Sequence, residues 1–364
     1  APLEFAVTKN LNAATKARVA EVHDDPGFGV AFTDHMVDIC WSAKGGWHRP
    51  RVQPYGPIAM DPAAAVLHYA QEVFEGLKAY RHADGSVWSF RPEANAARMA
   101  RSSQRLALPE LPIEDFVACV DALVAADERW VPTPEGGEKS LYIRPFMFAS
   151  EVFLGVRPAQ HVTFMVIASP AGAYFKGGVK PVTLWLTEEY TRAGRGGMGA
   201  AKTGGNYASS LVAQQEAIAQ GCDQVVFLDA QELTYVEELG GMNLYFVHAD
   251  GTVVTPATGT ILEGITRASI IELLGALGHR VEERRFSIQE WKDGVTSGAI
   301  TEVFACGTAA VVTPVGELKW DGGHAPAASG VGAEDALWTR VRRQLVDIQF
   351  GRAEDTHGWM HRIC

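Results

Sequence analysis

Cysteine is scarce and scattered in this chain: five in 364 residues, at 40, 119, 222, 306 and 364, with no CxxC pair. An odd, unclustered set excludes a disulfide scaffold and predicts reduced thiols in a cytoplasmic protein. Long apolar runs are missing as well. The stretch at residues 162–168 is among the longest, and a membrane span needs ~18 residues. The N-terminus, APLEFAVTKN, has no basic region followed by an apolar one, so no signal peptide is expected. Positive charge is in deficit: 32 Lys plus Arg against 43 Asp plus Glu leaves a net −11. That balance argues against nucleic acid or an anionic membrane as the main partner. A small anionic ligand stays open, because a few placed arginines suffice to hold one.

What is present reads as an ordinary globular protein, 47% hydrophobic and 21% charged, which excludes disorder and collagen. The length suggests two domains at ~150 residues each. Residues 1–60 read as loop-rich. Two Asp-Gly pairs, at 84–85 and 250–251, sit between alternating runs and predict hairpins. Arg91-Pro92 opens a predicted helix to about residue 106, since proline at the first helical position loses no needed donor. Further helices are expected at 113–130, at 207–220 with Gly221 as the stop, at 265–277 ending at Gly278, and at 333–350. LYIRPFMFA, HVTFMVIASP, VTLWLTEEY, QVVFLDA and AITEVFACGTAAVVTPV read as strands. Strands and helices mix without strict alternation, which disfavours a doubly wound parallel sheet.

The most informative segment is AGRGGMGAAKTGGN, at residues 193–206. Gly194, Gly196 and Gly199 satisfy GxGxxG, but a dinucleotide site needs a helix opening at the last glycine, and Gly204-Gly205 should break such a helix. GGMGAAKT nearly matches the phosphate loop GxxxxGK[ST], with Ala201 in place of the glycine that lets the backbone wrap phosphates. What remains is Lys202, one of ten lysines and flanked by small uncharged residues. In an apolar, close-packed setting such an amine turns to Schiff-base chemistry. Glycines beside it would let a flat cofactor approach the backbone. An ordinary surface lysine fits the local sequence too.

The chain resembles the branched-chain amino acid aminotransferases, fold-type IV enzymes that use pyridoxal phosphate. The likeness runs through FGVAFTDHMV, YAQEVFEGLKAY, SFRPEANAARMARS, LYIRPF, PAGAYF, KTGGNYASS, EELGGMNLYF, ILEGITRAS and FACGTAAVVTP. It implies a mixed α/β (α+β) architecture. A small N-terminal α+β domain would span 1–174, a linker 175–181 and a larger barrel-like domain 182–364, with the cofactor between the domains. Pyridoxal 5′-phosphate is the implied cofactor, and no metal is expected.

The resemblance also assigns roles. Lys202 resembles the lysine that holds the cofactor as an internal aldimine and shuttles the proton. Glu238 resembles the carboxylate facing the pyridine nitrogen, where it keeps that nitrogen protonated and the ring an electron sink. Glu237 is its neighbour; on a strand the two point to opposite faces, and the family pattern selects Glu238. Tyr207 matches the tyrosine on the cofactor's phenolic oxygen, and Arg98 the phosphate-binding arginine. Gly264, Ile265 and Thr266 match a helix start, whose free N–H groups suit a phosphate. Thr308 matches a further phosphate contact, and Arg192 a residue near the ring.

For the substrate, the backbone N–H groups of Thr308 and Ala309 and the Tyr142 hydroxyl would hold the α-carboxylate. Phe28, Tyr69, Phe74, Arg144, Tyr174 and Gly241 match the side-chain pocket, with Arg144 a partner for the γ-carboxylate of glutamate. Leu154-Gly155-Val156 matches a loop given to the site by a neighbouring subunit, which implies a homodimer. The implied reaction is ping-pong amino transfer between L-leucine, L-isoleucine or L-valine and 2-oxoglutarate. The alternatives on the same fold are a D-amino acid aminotransferase and an aminodeoxychorismate lyase. Two departures stand out. Ala310 and Thr313 occupy positions where some relatives carry a redox CxxC, and Gly241 replaces a threonine found in others. Cys306 reads as a buried small residue. His357, His361 and Cys364 have a spacing that could hold a metal on a helix, but the segment is terminal and metal binding is not expected. His35 and His68 read as packed and hydrogen-bonded.

Overall fold

The structure is a computed structural model that describes residues 2–135, 137–174 and 177–364. Phe175 and Lys176, at the head of the expected linker, lie outside the described residues, so the last position of the PAGAYF block does too. The chain divides into two compact units. One takes in the chain up to Ala173 with Ala201–Gly204 and Asp347–Cys364; the other takes in Tyr174–Ala200 and Gly205–Val346.

In the first unit the strands are β1 (Ala6–Val7), β2 (His35–Ser42), β3 (Gly46–Pro54), β4 (Glu72–Phe74), β5 (Leu77–Arg81), β6 (Val87–Phe90), β7 (Ser140–Ala149) and β8 (His161–Ala171). With the terminal strand Met360–Arg362 they form a sheet that is nine-stranded among the described residues. Its order is β1-β3-β2-β8-β7-β5-β6-terminal strand, with β4 also on β7. Pairing is antiparallel except for β1 on β3. The expected Asp-Gly turn joins β5 to β6, with Gly85 at φ +87°. Two elements, α1 (Lys16–Asp24) and the β2–β3 hairpin, lie where a loop-rich segment was expected. Pro50 lies within β3 and has no N–H to give its partner strand. A register shift between Asp38 and Cys40, with Arg49 at φ +56°, accommodates the missing donor as a bulge.

Three further helices of this unit need naming: the short α2 (Val66–Tyr69), α3 (Pro92–Arg105) and α4 (Ile113–Ala126). Helix α3 starts on Pro92 as expected and buries Asn95, Ala96, Arg98, Met99, Ser102 and Ser103. That three-and-four spacing is one helix face, and it carries Arg98 inward. Helix α4 stops four residues before the expected end, and a 3₁₀ turn, Glu128–Trp130, follows. Phe116, Cys119, Val120, Leu123 and Val124 seat it in the core with Ile39 and Phe164.

The second unit is built on β9 (Val182–Leu186), β10 (Gln224–Leu228), β11 (Val236–Leu239), β12 (Asn243–His248), β13 (Val253–Thr255), β14 (Val281–Glu283), β15 (Ile300–Gly307), β16 (Val311–Trp320) and β17 (Gly323–Ala325). Its order is β11-β10-β9-β16-β15-β12-β13-β14, with β17 on β16. Strand β16 pairs with β15 through residues 311–314 and with β9 from Val315 onward. A strand that changes partner part-way curls its sheet, and the barrel-like core expected for this half is that curl. The sequence AITEVFACGTAAVVTPV had read as one strand. It is two, folded back at Thr308, Ala309 and Ala310.

The helices of this unit are α5 (Gly204–Ala208), α6 (Leu211–Ala219), α7 (Ile265–Ala276), α8 (Ile288–Ser297) and α9 (Leu337–Gln349). One helix was expected over 207–220; the chain instead opens α5 earlier, at Gly204, while no helix opens at Gly199, as the rejection of a dinucleotide site required. The expected single helix is also broken in two. Ser209 Oγ donates to the Asn206 carbonyl at 3.0 Å and Ser210 Oγ to that of Tyr207 at 2.7 Å, so the side chains compete with the helical ladder. Helix α9 starts late because Glu302, distant in sequence, accepts from the N–H groups of Leu337 and Trp338 at 2.9 and 3.0 Å.

Candidate active site

Residues 201–204 cluster with the first unit, which grips their backbone at several points. The Lys202 N–H donates to Ser102 Oγ on α3 at 2.9 Å, and its carbonyl accepts from the Phe74 N–H on β4 at 3.0 Å. Thr203, fully buried, donates from Oγ1 to the Glu72 carbonyl at 2.7 Å. The Glu72 carboxylate accepts from the Gly204 N–H. A Cβ at Gly204 would overlap that carboxylate, so the glycine is needed for the close approach. Burial pushes the Glu72 carboxyl above its usual range, against the hydrogen bonds from Gly204 and Thr203 and the nearby Arg144.

With the backbone fixed this way, the Lys202 ammonium nitrogen sits 4.8 Å from the centre of the Phe74 ring. The Arg144 guanidinium lies 4.6 Å from the same ring. Arg144 Nη2 donates to the Tyr142 hydroxyl at 2.8 Å, and Tyr142 packs on Phe28 with ring centres 4.8 Å apart. Arg144 Nε is buried without a hydrogen-bond partner. A Cβ at Gly76 would overlap the Tyr142 hydroxyl. Lys202, Phe74, Arg144, Tyr142 and Phe28, five residues nominated separately, thus form one cluster. The Tyr69 hydroxyl donates to the Leu154 carbonyl, tying a second pair of nominated residues together. Val156 is 81% exposed and Tyr174 48%.

Arg98 is buried on α3, with Nε and Nη2 on Glu75 Oε1 and Oε2 at 2.8 and 2.7 Å. Asn95 Nδ2 adds a bond to Glu75 Oε2 at 2.8 Å. This bidentate pair is the strongest geometry an arginine and a carboxylate make.

The second unit holds the acidic group. Glu238 and Glu237 are consecutive on β11, both buried, and face different partners, as strand alternation requires. Glu238 Oε1 meets Arg192 Nη1 at 2.8 Å, and Oε2 accepts from Asn243 Nδ2 at 3.2 Å. Arg192 is itself buried and donates to the Gly199 carbonyl at 3.2 Å. A Cβ at Gly199 would overlap the Thr260 carbonyl. In the glycine-rich loop, then, Gly199 serves a backbone-on-backbone approach that encloses Arg192. Glu237 Oε1 accepts from the Thr260 hydroxyl at 2.5 Å.

Helix α7 opens at Ile265 and Thr266 as expected, with Gly264 as its N-cap. A Cβ on that glycine would overlap Asn243. Tyr207 lies on α5, half-buried. Thr308 and Ala309 form the β15–β16 turn, and Gly241 is exposed with open space around it. Cys306 is buried in β15, and burial pushes its thiol up to about 12, so it packs rather than reacts. His357 and His361 do not share a helical face: His357 stacks on Trp359 at 4.0 Å, and His361 bonds Asp121 at 2.8 Å from a strand. His35 bonds Asp127 at 2.7 Å, and His68 the Pro62 carbonyl at 2.9 Å.

The sequence reading missed the partners that position these groups: Glu72, Glu75 and Asn95 in the first unit, Thr260 and Asn243 in the second. Glu72 and Glu75 were visible as the two acids of the block YAQEVFEGLKAY. Thr260 carried no signal.

The model of the amino-transferase class IV family matches residues 72–318. The branched-chain-amino-acid aminotransferase of Mycolicibacterium smegmatis is 56% identical, covering 100% of this chain and 99% of its own. The chain belongs to the class IV branched-chain aminotransferases. Solved members share the architecture. The branched-chain amino acid aminotransferase of Escherichia coli is 28% identical at TM-score 0.72, covering 90% of this chain and 100% of that one. A second solved branched-chain amino acid aminotransferase, complexed with N-(5′-phosphopyridoxyl)-L-glutamate, is 28% identical at TM-score 0.70, covering 90% of this chain and 98% of that one. This aminotransferase is therefore an enzyme that moves amino groups, in a class that works with pyridoxal phosphate. Among its described residues no helix is long and apolar enough to cross a membrane.

Proposed function

We propose that this aminotransferase moves the amino group between L-leucine, L-isoleucine or L-valine and 2-oxoglutarate, with Lys202 as its reactive amine. The observation that carries the substrate class is the cluster around Phe74. Phe74, Tyr142 and Phe28 offer an aromatic wall to an apolar side chain, and Arg144 gives one fixed cation on the same ring as Lys202. A branched aliphatic chain fits the wall. The γ-carboxylate of glutamate fits the guanidinium. The names of the relatives, and the glutamate-derived ligand of the second solved enzyme, support the same reading.

The residues present fit pyridoxal 5′-phosphate by their donor chemistry. Lys202 offers an amine on an aromatic ring. Glu238 offers a buried carboxylate for a protonated ring nitrogen. The start of the twelve-residue helix α7 offers N–H groups to a phosphate. Arg98, Thr266 and Thr308 complete the phosphate set, Tyr207 takes the phenolic oxygen and Arg192 stands by the ring, as the resemblance assigns them. When bound, the cofactor supplies a carbonyl carbon for the amino group and a ring that draws electrons from the substrate's α-carbon. Lys202 Nζ would hold the cofactor, and its amine would move the proton of the substrate's Cα. Tyr142 and the N–H groups of Thr308 and Ala309 orient the α-carboxylate. Glu238 holds the proton on the ring nitrogen.

We also propose a homodimer. Val152, Leu154 and Val156 are each more than half exposed, and Leu67 on α2, the helix that carries Tyr69, is 58% exposed. An exposed apolar patch of this kind marks an interface.

The substrate assignment is tested with ¹⁵N-labelled L-leucine and 2-oxoglutarate. Label should appear in glutamate, with none transferred from D-alanine and no pyruvate released from aminodeoxychorismate. Transfer from D-alanine, or turnover of aminodeoxychorismate alone, would contradict the assignment.

A further inference from the structure

Behind Glu238 stands a second acid that the proposed chemistry does not use. Glu237 precedes it on β11 and is only 6% exposed. Its Oε1 takes the Thr260 hydroxyl; its Oε2 is buried with no hydrogen-bond partner. A buried acid with one oxygen unpaired opposes folding. An apolar side chain at this position would avoid that penalty, so stability does not explain a glutamate here.

Its neighbours suggest another reason. Thr260 is a joint with two attachments. Its hydroxyl binds Glu237, and its carbonyl accepts from Arg192 Nη1 at 3.4 Å. Two residues on, the Leu262 N–H donates to Glu238 Oε1 at 3.4 Å, and the Leu262 carbonyl accepts from the same Asn243 nitrogen that binds Glu238 Oε2. The segment 260–262 therefore contacts Arg192, Asn243 and Glu238 on one side and Glu237 on the other. The 3.4 Å bonds are long and easily lost, so their geometry depends on what fixes the segment. Glu237 also feels the charge of Arg192, the cation that Glu238 pairs with.

We propose that Glu237 is a positioning residue for Glu238: through Thr260 it fixes the segment whose carbonyl and N–H groups, with Arg192, set the Glu238 carboxylate toward the cofactor's ring nitrogen. This rests on the reading of Glu238 given above. Glu237 also borders an open cavity of ≈ 350 Å³ on its own unit, with Asp229, Tyr235 and Thr260 in the lining. Truncating the side chain therefore enlarges existing open space rather than hollowing a packed core.

The test uses the full-length enzyme loaded with pyridoxal 5′-phosphate labelled with ¹⁵N in its ring, whose resonance reports protonation of that nitrogen. Glu237→Ala and Thr260→Val should move the resonance toward the unprotonated position. They should lower kcat for leucine by about tenfold, leaving KM within about twofold. Glu237→Gln keeps an acceptor for Thr260 and should restore both. Glu237→Ala with wild-type resonance and kcat, or with reduced kcat and unmoved resonance, would overturn the proposal. Should that variant not fold, Thr260→Ser against Thr260→Val carries the same comparison. Glu238→Gln separates the two readings: if it leaves the resonance unmoved, the role of Glu238 is what fails.

Discussion

At the residue scale, each reactive group is set by a partner that has no reactive role of its own. Lys202 has its N–H on Ser102 and its carbonyl on Phe74, so its side chain leaves a backbone pinned at both ends. Arg98 has Glu75, and Glu75 has Asn95. The Arg98–Glu75 pair is nearly sealed from water, with side-chain exposures of 5% and 0%. Removing one member of such a pair strands the other charge. Glu75→Gln should therefore cost about 3–5 kcal/mol of stability, seen as a lowered urea midpoint. A midpoint equivalent to a change within ~0.5 kcal/mol, the range of a surface substitution, would contradict that. Lys202 was legible because a lysine among glycines, alanines and a threonine is rare company, and the motif around it is specific. Glu75 was not, because an acid in a strand-like block reads as an outward-facing position until the arginine it meets, distant in sequence, is brought beside it.

Elements divide along a similar line. Those with local chemistry at their ends were legible: the two Asp-Gly hairpins, the proline start of α3 and the glycine start of α7. Those bounded by distant groups were not. The start of α9 depends on Glu302, and the break between α5 and α6 on two serine hydroxyls that a propensity reading treats as neutral. The hairpin of β15 and β16 was hidden in a continuous apolar run. Its turn, Thr308-Ala309-Ala310, has neither glycine nor proline, although Val311 just after it takes φ +62°. Strands β2 and β3 were masked by Pro50 and by charged residues along β3. The glycine-rich loop before Lys202 carries a similar lesson. Its glycines had suggested room for a cofactor, and Gly199 instead admits a carbonyl of another segment.

At the scale of the whole molecule, the exposed apolar loop is the feature behind the proposed homodimer. Among the described residues, Val152 to Val156 is anchored by a bridge from Ala64 to Val152 and by the Tyr69 hydroxyl on Leu154, yet most of its apolar side chains are open to solvent. Sedimentation of the wild type at micromolar concentration should give a dimer, and Leu154→Asp with Val156→Asp should give a folded monomer with little transaminase activity. A monomeric wild type with full activity would contradict the dimer and, with it, a role for Val156 beside the substrate. Every further step depends on one amine. Borohydride reduction of the enzyme with pyridoxal 5′-phosphate, followed by peptide mass mapping, tests that most directly: the account predicts a pyridoxyl adduct on Lys202, and an adduct on another lysine, or none, would contradict it.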